Sequence, residues 1–490
     1  MQGTAGFRSD KFALLSGLVL LLLTAGYYCL RPAIVLGDPD IWWHVQTGRD
    51  IVATLRVPYA DHYSYTFDGQ PWIAKEWLSQ VLLALAFKTG GWSGVMLLSV
   101  LAVAAALVAL YLELGKHLRL EIAAAIVLVC AVVLTPVVIA RPHIFTLLPM
   151  VVLTARLFGA AARQKPPEYW LLALVVLWAN LHGSFTFALV IAGFAFLAVA
   201  EASRLTDRPL LVKWLIFLVL AATATLATPY GLTNYTINLS MISGNETMPF
   251  ITEWQPFSAQ RDRIMEYGLL AGLAALIATR ARLGWTRVAF LIFTLHMFLL
   301  HVRFVYVFFL LAPLVVAAPA AETLAAMARL TARAKTPDAV QEFLSRRFPP
   351  IMAGLAGVIA LAIAAVVVSQ PFVPEKRRSI EDALAYVRAN HLDGPVFNGY
   401  NLGGVLIFNG IKTYLDGRTE QLFRGDFMTG YLASGNADGA GVVQEIVNRY
   451  KTTWAIFPKK DIRNSFLATL PGWHQAYEDD YVIIHVRSAP

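Results

Sequence analysis

The stretch GDPDIWWH, residues 37–44, decides how the rest of the chain is read. It directly follows an apolar run from Phe12 to Leu30, which is long enough to cross a bilayer. Asp38 and Asp40 therefore fall at a membrane–water boundary, beside Trp42 and Trp43, a residue type that favours that boundary. Pro39 stiffens the acid pair. Carboxylates spaced this way can share a divalent cation, Mg²⁺ or Mn²⁺, through oxygen ligands. Alternatively, one of them can stay ionised as general base for an acceptor hydroxyl. Asp40 also stands where a helix starting near residue 41 has its N-cap. His44, four residues on, then shares its helical face.

Composition supports the membrane setting. Of 490 residues, 57% are hydrophobic and 15% charged, with a mean hydropathy of +0.58. That balance is a polytopic membrane protein's. The net charge of +8 comes from basic residues scattered between apolar spans, which argues against nucleic-acid binding. Cys29 and Cys130 both lie inside apolar runs, so neither a disulfide framework nor a thiolate metal site is expected. The first run has a weak basic start (Arg8, Lys11) and no clear small-residue cleavage site, so it reads as an uncleaved span.

Further apolar runs lie at about 94–112, 121–139, 144–158, 168–181, 184–201, 211–227, 266–279, 288–300, 304–320 and 351–369. With the first they predict a polytopic α-helical membrane protein of about eleven spans. Residues 76–90 are apolar on one face and end at Gly90-Gly91, the pattern of a helix lying in the interface. Loops 113–120, 156–167, 202–213, 280–287 and 321–349 carry the lysines and arginines, which marks them as cytoplasmic. The N-terminus is then inside and residues 371–490 outside. The expected division is a membrane module, 1–370, with outer loops at 31–93 and 228–265, and a soluble extracytoplasmic α/β domain, 371–490.

This orientation collects Asp38, Asp40, Trp43, His44, Glu76, Arg141, His143, Asn180, His182, Tyr230, Glu253, His301 and Arg303 on the outer side. Polar groups at membrane depth are costly and generally face a cavity, so these residues are expected to line one. Arg141 and Arg303 break the positive-inside trend, and a lipid phosphate is their natural partner; snorkelling to ordinary headgroups is the plainer reading. His143, His182 and His301 fit no zinc spacing but can help hold a phosphate. Glu76 opens a helix, where an acid is also favoured by the helix dipole.

The tail alternates helix and strand signals. Helices are expected over Ser379–Asn390 and Gly439–Tyr450, and a short apolar segment over Leu402–Asn409. Strands are expected over Pro395–Asn398, Thr413–Leu415, Trp454–Pro458 and Tyr481–Val486. The turn Asp416-Gly-Arg418-Thr-Glu420 follows a strand end, where α/β sheets place ligand sites. Asp416, Arg418 and Glu420 are therefore candidates, with a plain turn closed by an Asp–Arg pair as the alternative.

Two stretches resemble a known family. They are GDPDIWWHVQTGRDIVATLRVPYADHYSYTFDGQPWIAKEWLSQ (37–80) and NGYNLGGVLIFNGIKTYLDGRTE (398–420). They are similar to bacterial membrane proteins of the GT-C superfamily of glycosyltransferases, and the order of spans, first loop and outer tail resembles it too. The resemblance implies an inverting transferase of the plasma membrane, acting on its extracytoplasmic face. The donor is a sugar on a polyprenyl phosphate, and the acceptor a glycan, lipid or protein hydroxyl. It makes a first-loop acid, here Asp40 or Asp38, the catalytic base or, in some branches, a metal ligand. A later outer loop in that superfamily is mobile; 228–265 or the tail takes that place here. Arginines that neutralise the leaving phosphate can replace a metal, so a cation is not required. Competing readings are an oligosaccharide polymerase or ligase using the same carriers, a transporter of lipid-linked sugars, and a non-enzymatic assembly factor. A transporter predicts mid-span charges and internal repeats, which the sequence lacks.

Overall fold

Among the described residues, which are 3–242, 252–331, 354, 357–358, 360–365 and 372–488 of the computed structural model, twelve α-helices of at least 10 residues precede the tail. They are α1 (Gly3–Cys29), α2 (Ile41–Thr54), α3 (Trp77–Leu114), α4 (Leu120–Leu134), α5 (Leu147–Ala162), α6 (Leu171–Leu181), α7 (Thr186–Ala202), α8 (Arg208–Ala224), α9 (Thr233–Ile242), α10 (Arg263–Thr279), α11 (Trp285–Leu300) and α12 (Val305–Thr331). Most of the span expected at 351–369, and residues 332–349 of the basic segment before it, lie outside the described residues. So does 243–251 of the expected second loop.

Five described segments are long and apolar enough to cross a membrane: Trp77–Leu114, Leu120–Val137, Pro142–Ala162, Gly183–Ala202 and Val302–Ala325. Ala13–Cys29, Leu171–Leu181 and Trp285–Leu300 are shorter apolar helices. The chain is thus an integral membrane protein by its helices. α3 is two helices joined at Gly90 (φ −142°) and Gly91 (φ +55°). The second angle suits glycine alone, and the amphipathic 77–89 segment stops there.

Contacts group the chain into two units, one of Met1–Val35, Met96–Thr228 and Ile251–Phe372, the other of Leu36–Val95, Pro229–Phe250 and Val373–Pro490. This differs from a linear split at 370, because the first loop belongs with the tail. The first unit is a helical bundle in which α5 packs on α7, α7 on α8, and α12 on both α11 and α5. A buried polar group in an apolar bundle needs a protein partner. The Tyr28 hydroxyl donates to the Ala131 carbonyl at 2.7 Å.

The second unit holds a mixed four-stranded sheet of β1 (Val396–Asn398), β2 (Trp454–Pro458), β3 (Trp473–Glu478) and β4 (Val482–Arg487), in the order β1-β2-β4-β3. β1 and β2 are parallel, and the other pairs antiparallel. α13 (Glu381–Ala389), α14 (Gly403–Phe408), α15 (Asp426–Ala433), α16 (Ala440–Arg449) and α17 (Arg463–Thr469) accompany it. Its core mixes first-loop and tail side chains, among them Trp43, Trp72, Phe397, Tyr414 and Phe457.

The expected strand at Thr413–Leu415 is not part of the sheet. Thr413 instead bridges to Ser64 of the first loop, taking a hydrogen bond from Tyr65 N–H and giving one to Tyr63 O. The DGRTE turn therefore does not follow a sheet strand, and the strand-end argument for a ligand site there does not apply.

Candidate functional site

In the second unit the GDPD stretch is clasped by glycines of the tail. The Asp38 carboxylate accepts the Asp40 N–H at 2.8 Å, which folds the two acids into a tight turn ahead of α2. Asp40 occupies the N-cap position, yet its side chain makes no capping bond. It is only 6% exposed. A Cβ at Gly417 would stand 1.8 Å from Asp40 Oδ1, and one at Gly404 would stand 2.2 Å from the Pro39 carbonyl. Both tail positions thus require a bare backbone, which is why the glycines of the second resembling stretch matter to the first.

The residues beside the acids are buried together. His44 Nδ1 lies 3.2 Å from Gln80 Nε2, and its Nε2 lies 3.9 Å from Glu76 Oε2. Trp43 lies against His44, ring centroids 3.7 Å apart. α2 can approach the 77–89 helix this closely because position 48 is glycine; a Cβ there would meet Gln80 O at 1.9 Å. The Tyr230 hydroxyl donates to Pro58 O at 3.0 Å and accepts Ala74 N–H at 3.2 Å. Glu420 pairs with Lys75 at 2.6 Å.

Asp416 and Arg418 hold the unit together from inside. Arg418, 1% exposed, grips Asp416 in a bidentate pair at 2.7 Å on each side. Its second partner is Asp61, itself fully buried. Burial pushes the guanidinium pKa down, but the two carboxylates outweigh it and hold it above its ordinary value. Sequence reading passed over Asp61, since nothing local links it to a partner 357 residues away.

In the first unit, Glu253 lies between two arginines. Arg141 NH1 is 3.1 Å from one carboxylate oxygen, and Arg303 NH1 is 3.4 Å from the other. Burial raises the Glu253 pKa, and Arg141 and Arg303 more than reverse this, bringing it down to about 2. The group carries one net positive charge, and its side chains remain 22%, 29% and 21% exposed. Arg303 also lies over the Trp254 ring at 4.3 Å, and His301 Nδ1 is 2.7 Å from the Trp254 carbonyl. Trp254 is the residue sequence reading missed here; its place next to Glu253 in the loop was the signal.

The other candidates of this unit make contacts of their own. His143 Nε2 is 3.0 Å from Val137 O, and its ring stands 5.5 Å from Tyr306 and 6.3 Å from His182. His182 Nδ1 accepts Ser184 N–H at 3.1 Å, capping the turn that follows. Asn180 donates to Ala227 O at 2.8 Å.

Among the described residues, no three His, Cys, Asp or Glu side chains stand close enough together to form a metal-ion site. Mg²⁺ typically needs only one or two protein carboxylates, the rest being water and substrate phosphate. Asp38 and Asp40 are the candidate carboxylates for such a site.

No family model matches the chain, and no curated protein does. Solved structures do. The apo oligosaccharyltransferase of Archaeoglobus fulgidus superposes with a TM-score of 0.56 at 12% identity, covering 91% of this chain and 69% of that one. The oligosaccharyltransferase AglB of the same organism, in complex with an inhibitory peptide and a dolichol-phosphate, gives 0.56 and 12% over 89% and 69%. At that identity the likeness establishes architecture alone: the chain shares the fold of these two structures.

Proposed function

We propose that the chain is a membrane glycosyltransferase that moves a sugar from a polyprenyl-phosphate donor to an acceptor hydroxyl on the extracytoplasmic face. The observation that carries this reading is the shared fold over 91% of the chain. Two features of its own residues support it: an acid pair fixed by a glycine clasp, and a net-positive arginine pair.

Asp40 or Asp38 takes the acceptor's hydroxyl proton. The oxygen attacks the anomeric carbon from the face opposite the lipid phosphate, so configuration inverts. The carbon–oxygen bond to phosphate breaks, and its electron pair stays on the phosphate oxygen. Arg141 and Arg303 neutralise that charge through charge-assisted hydrogen bonds, with His301 and His143 beside them. A divalent cation held by Asp38 and Asp40 would supply charge neutralisation to a phosphate oxygen. Trp43, His44, Glu76 and Tyr230 share the unit of the acid pair, Asn180, His182 and Glu253 share that of the arginines, and Glu420 with Lys75 joins the tail to the first loop.

The test is product chemistry. Purified protein, given a polyprenyl-phosphate sugar and a panel of glycan, lipid and peptide acceptors, is expected to release polyprenyl phosphate and form a glycoside of inverted configuration by NMR. A retained configuration would rule out direct displacement. Net translocation of the intact lipid-linked sugar across vesicles, without cleavage, would replace the enzyme reading with a transporter.

A further inference from the structure

α12 carries two prolines inside its length, Pro313 and Pro319. Both lie in Val302–Ala325, a segment long and apolar enough to cross a membrane. Proline has no N–H, so each one leaves the carbonyl four residues earlier without its helical donor. Those carbonyls are Phe309 O and Val315 O. Hydrocarbon offers no replacement, so a neighbouring helix has to supply one. For both carbonyls one does. The Cys130 thiol of α4 donates to Phe309 O at 3.2 Å, and the Arg287 guanidinium of α11 donates to Val315 O at 2.5 Å.

The two bonds act at different distances from the arginine pair. Phe309 comes six residues after Arg303, about 9 Å along a helix, whereas Val315 comes twelve residues after it, about 18 Å. Arg303 sits in the turn Val302–Phe304, which leads directly into α12. The part of α12 between that turn and Pro313 ends one hydrogen bond short, and Cys130 supplies that bond from outside. α4 is also the helix that leads to Arg141, eleven residues after Cys130. A single buried bond therefore ties the helix before Arg141 to the helix after Arg303, the two arginines that share Glu253. A thiol is a weak donor, but leaving a buried carbonyl unmatched costs more than a weak bond.

We infer that Cys130 is a positioning residue for the arginine pair: it closes the carbonyl opened by Pro313 and so fixes the turn that presents Arg303. The inference rests on the reading of that pair as the donor-phosphate site. Cys130 acts through α12 and not on the donor itself.

The test is binding of farnesyl phosphate to the purified full-length protein by native mass spectrometry. Cys130→Ala is expected to weaken binding about fivefold, the worth of one hydrogen bond. Cys130→Ser keeps a donor and is expected to bind within about twofold of wild type. Pro313→Ala returns an N–H to Phe309 O, so the double variant Cys130→Ala/Pro313→Ala is also expected within about twofold of wild type. Arg287→Met opens the more distant carbonyl and is expected to leave binding within about twofold. Wild-type binding by Cys130→Ala, or no rescue by Pro313→Ala, overturns the assignment and leaves the arginine site standing. So does an equal loss in Arg287→Met, which would mark a general loosening of the bundle. Failure of wild type itself to bind farnesyl phosphate overturns the donor reading, and the positioning role with it.

Discussion

In the tail-bearing unit one arginine, Arg418, lies between Asp61 and Asp416; in the helical unit one acid, Glu253, lies between Arg141 and Arg303. The chemistry is the same and the settings are opposite. Arg418 is 1% exposed and every direction around it is occupied, including the rings of Trp72 and Tyr63 at 4.8 and 5.1 Å. The Glu253 group keeps about a fifth to a third of each side chain open, with one positive charge in excess. Closed and complete, the first arrangement is scaffold. Open and unbalanced, the second suits a ligand.

The comparison is broken most easily by removing one arginine from each group. Arg418→Ala strands two buried carboxylates and is expected to lower stability by roughly 3–5 kcal/mol. Arg303→Gln leaves Glu253 its Arg141 partner and is expected to cost about 1 kcal/mol or less. Denaturant titration of both full-length variants in detergent measures the difference; equal losses would make the Glu253 group structural as well.

A smaller effect sharpens the reading of the clasp. Gly417→Ala pushes a methyl into the Asp40 carboxylate and is expected to cost about 1–3 kcal/mol, with transfer activity falling further than stability explains. Gly430→Ala, in a helix with nothing within 4 Å of the added carbon, is the matched control. It should be neutral or slightly stabilising.

The smallest effect is in pH. The Glu253 carboxyl is lowered from 4.5 to about 2, so the unfolded chain binds its proton first. The group's contribution is complete above about 4.5 and is lost as pH falls toward 2. In Arg141→Gln/Arg303→Gln, burial is opposed only by His143, the carboxyl is expected to rise above its ordinary value, and the sign reverses. That variant should lose stability as pH rises from acid to neutral, a trend visible in its thermal midpoints and absent from wild type.

The apolar helices were legible because crossing a bilayer demands long unbroken runs, and α4 through α7 fall where those runs do. The tail strands at 454–458 and 482–487 were legible for the same reason, being buried and β-branched or aromatic. β3 was not, because Trp473–Glu478 is a half-exposed polar edge strand that carries no apolar signal. Thr413–Leu415 misled because its partner is Ser64 of the first loop rather than a neighbouring strand. The candidate site divides in the same way. Arg141 and Arg303 stood out by breaking a charge trend. The glycine clasp on Asp40 and the Asp61–Arg418 pair join residues hundreds of positions apart, which no local pattern encodes.

The most direct test of the central claim is single-turnover transfer from a polyprenyl-phosphate sugar, comparing wild type with Asp38→Asn and Asp40→Asn in folded protein that still binds the lipid. If a first-loop acid is the general base, one of the two variants loses about a hundredfold or more in rate while lipid binding stays within error. Two variants that both turn over at the wild-type rate would contradict the account and move the chemistry away from the first loop.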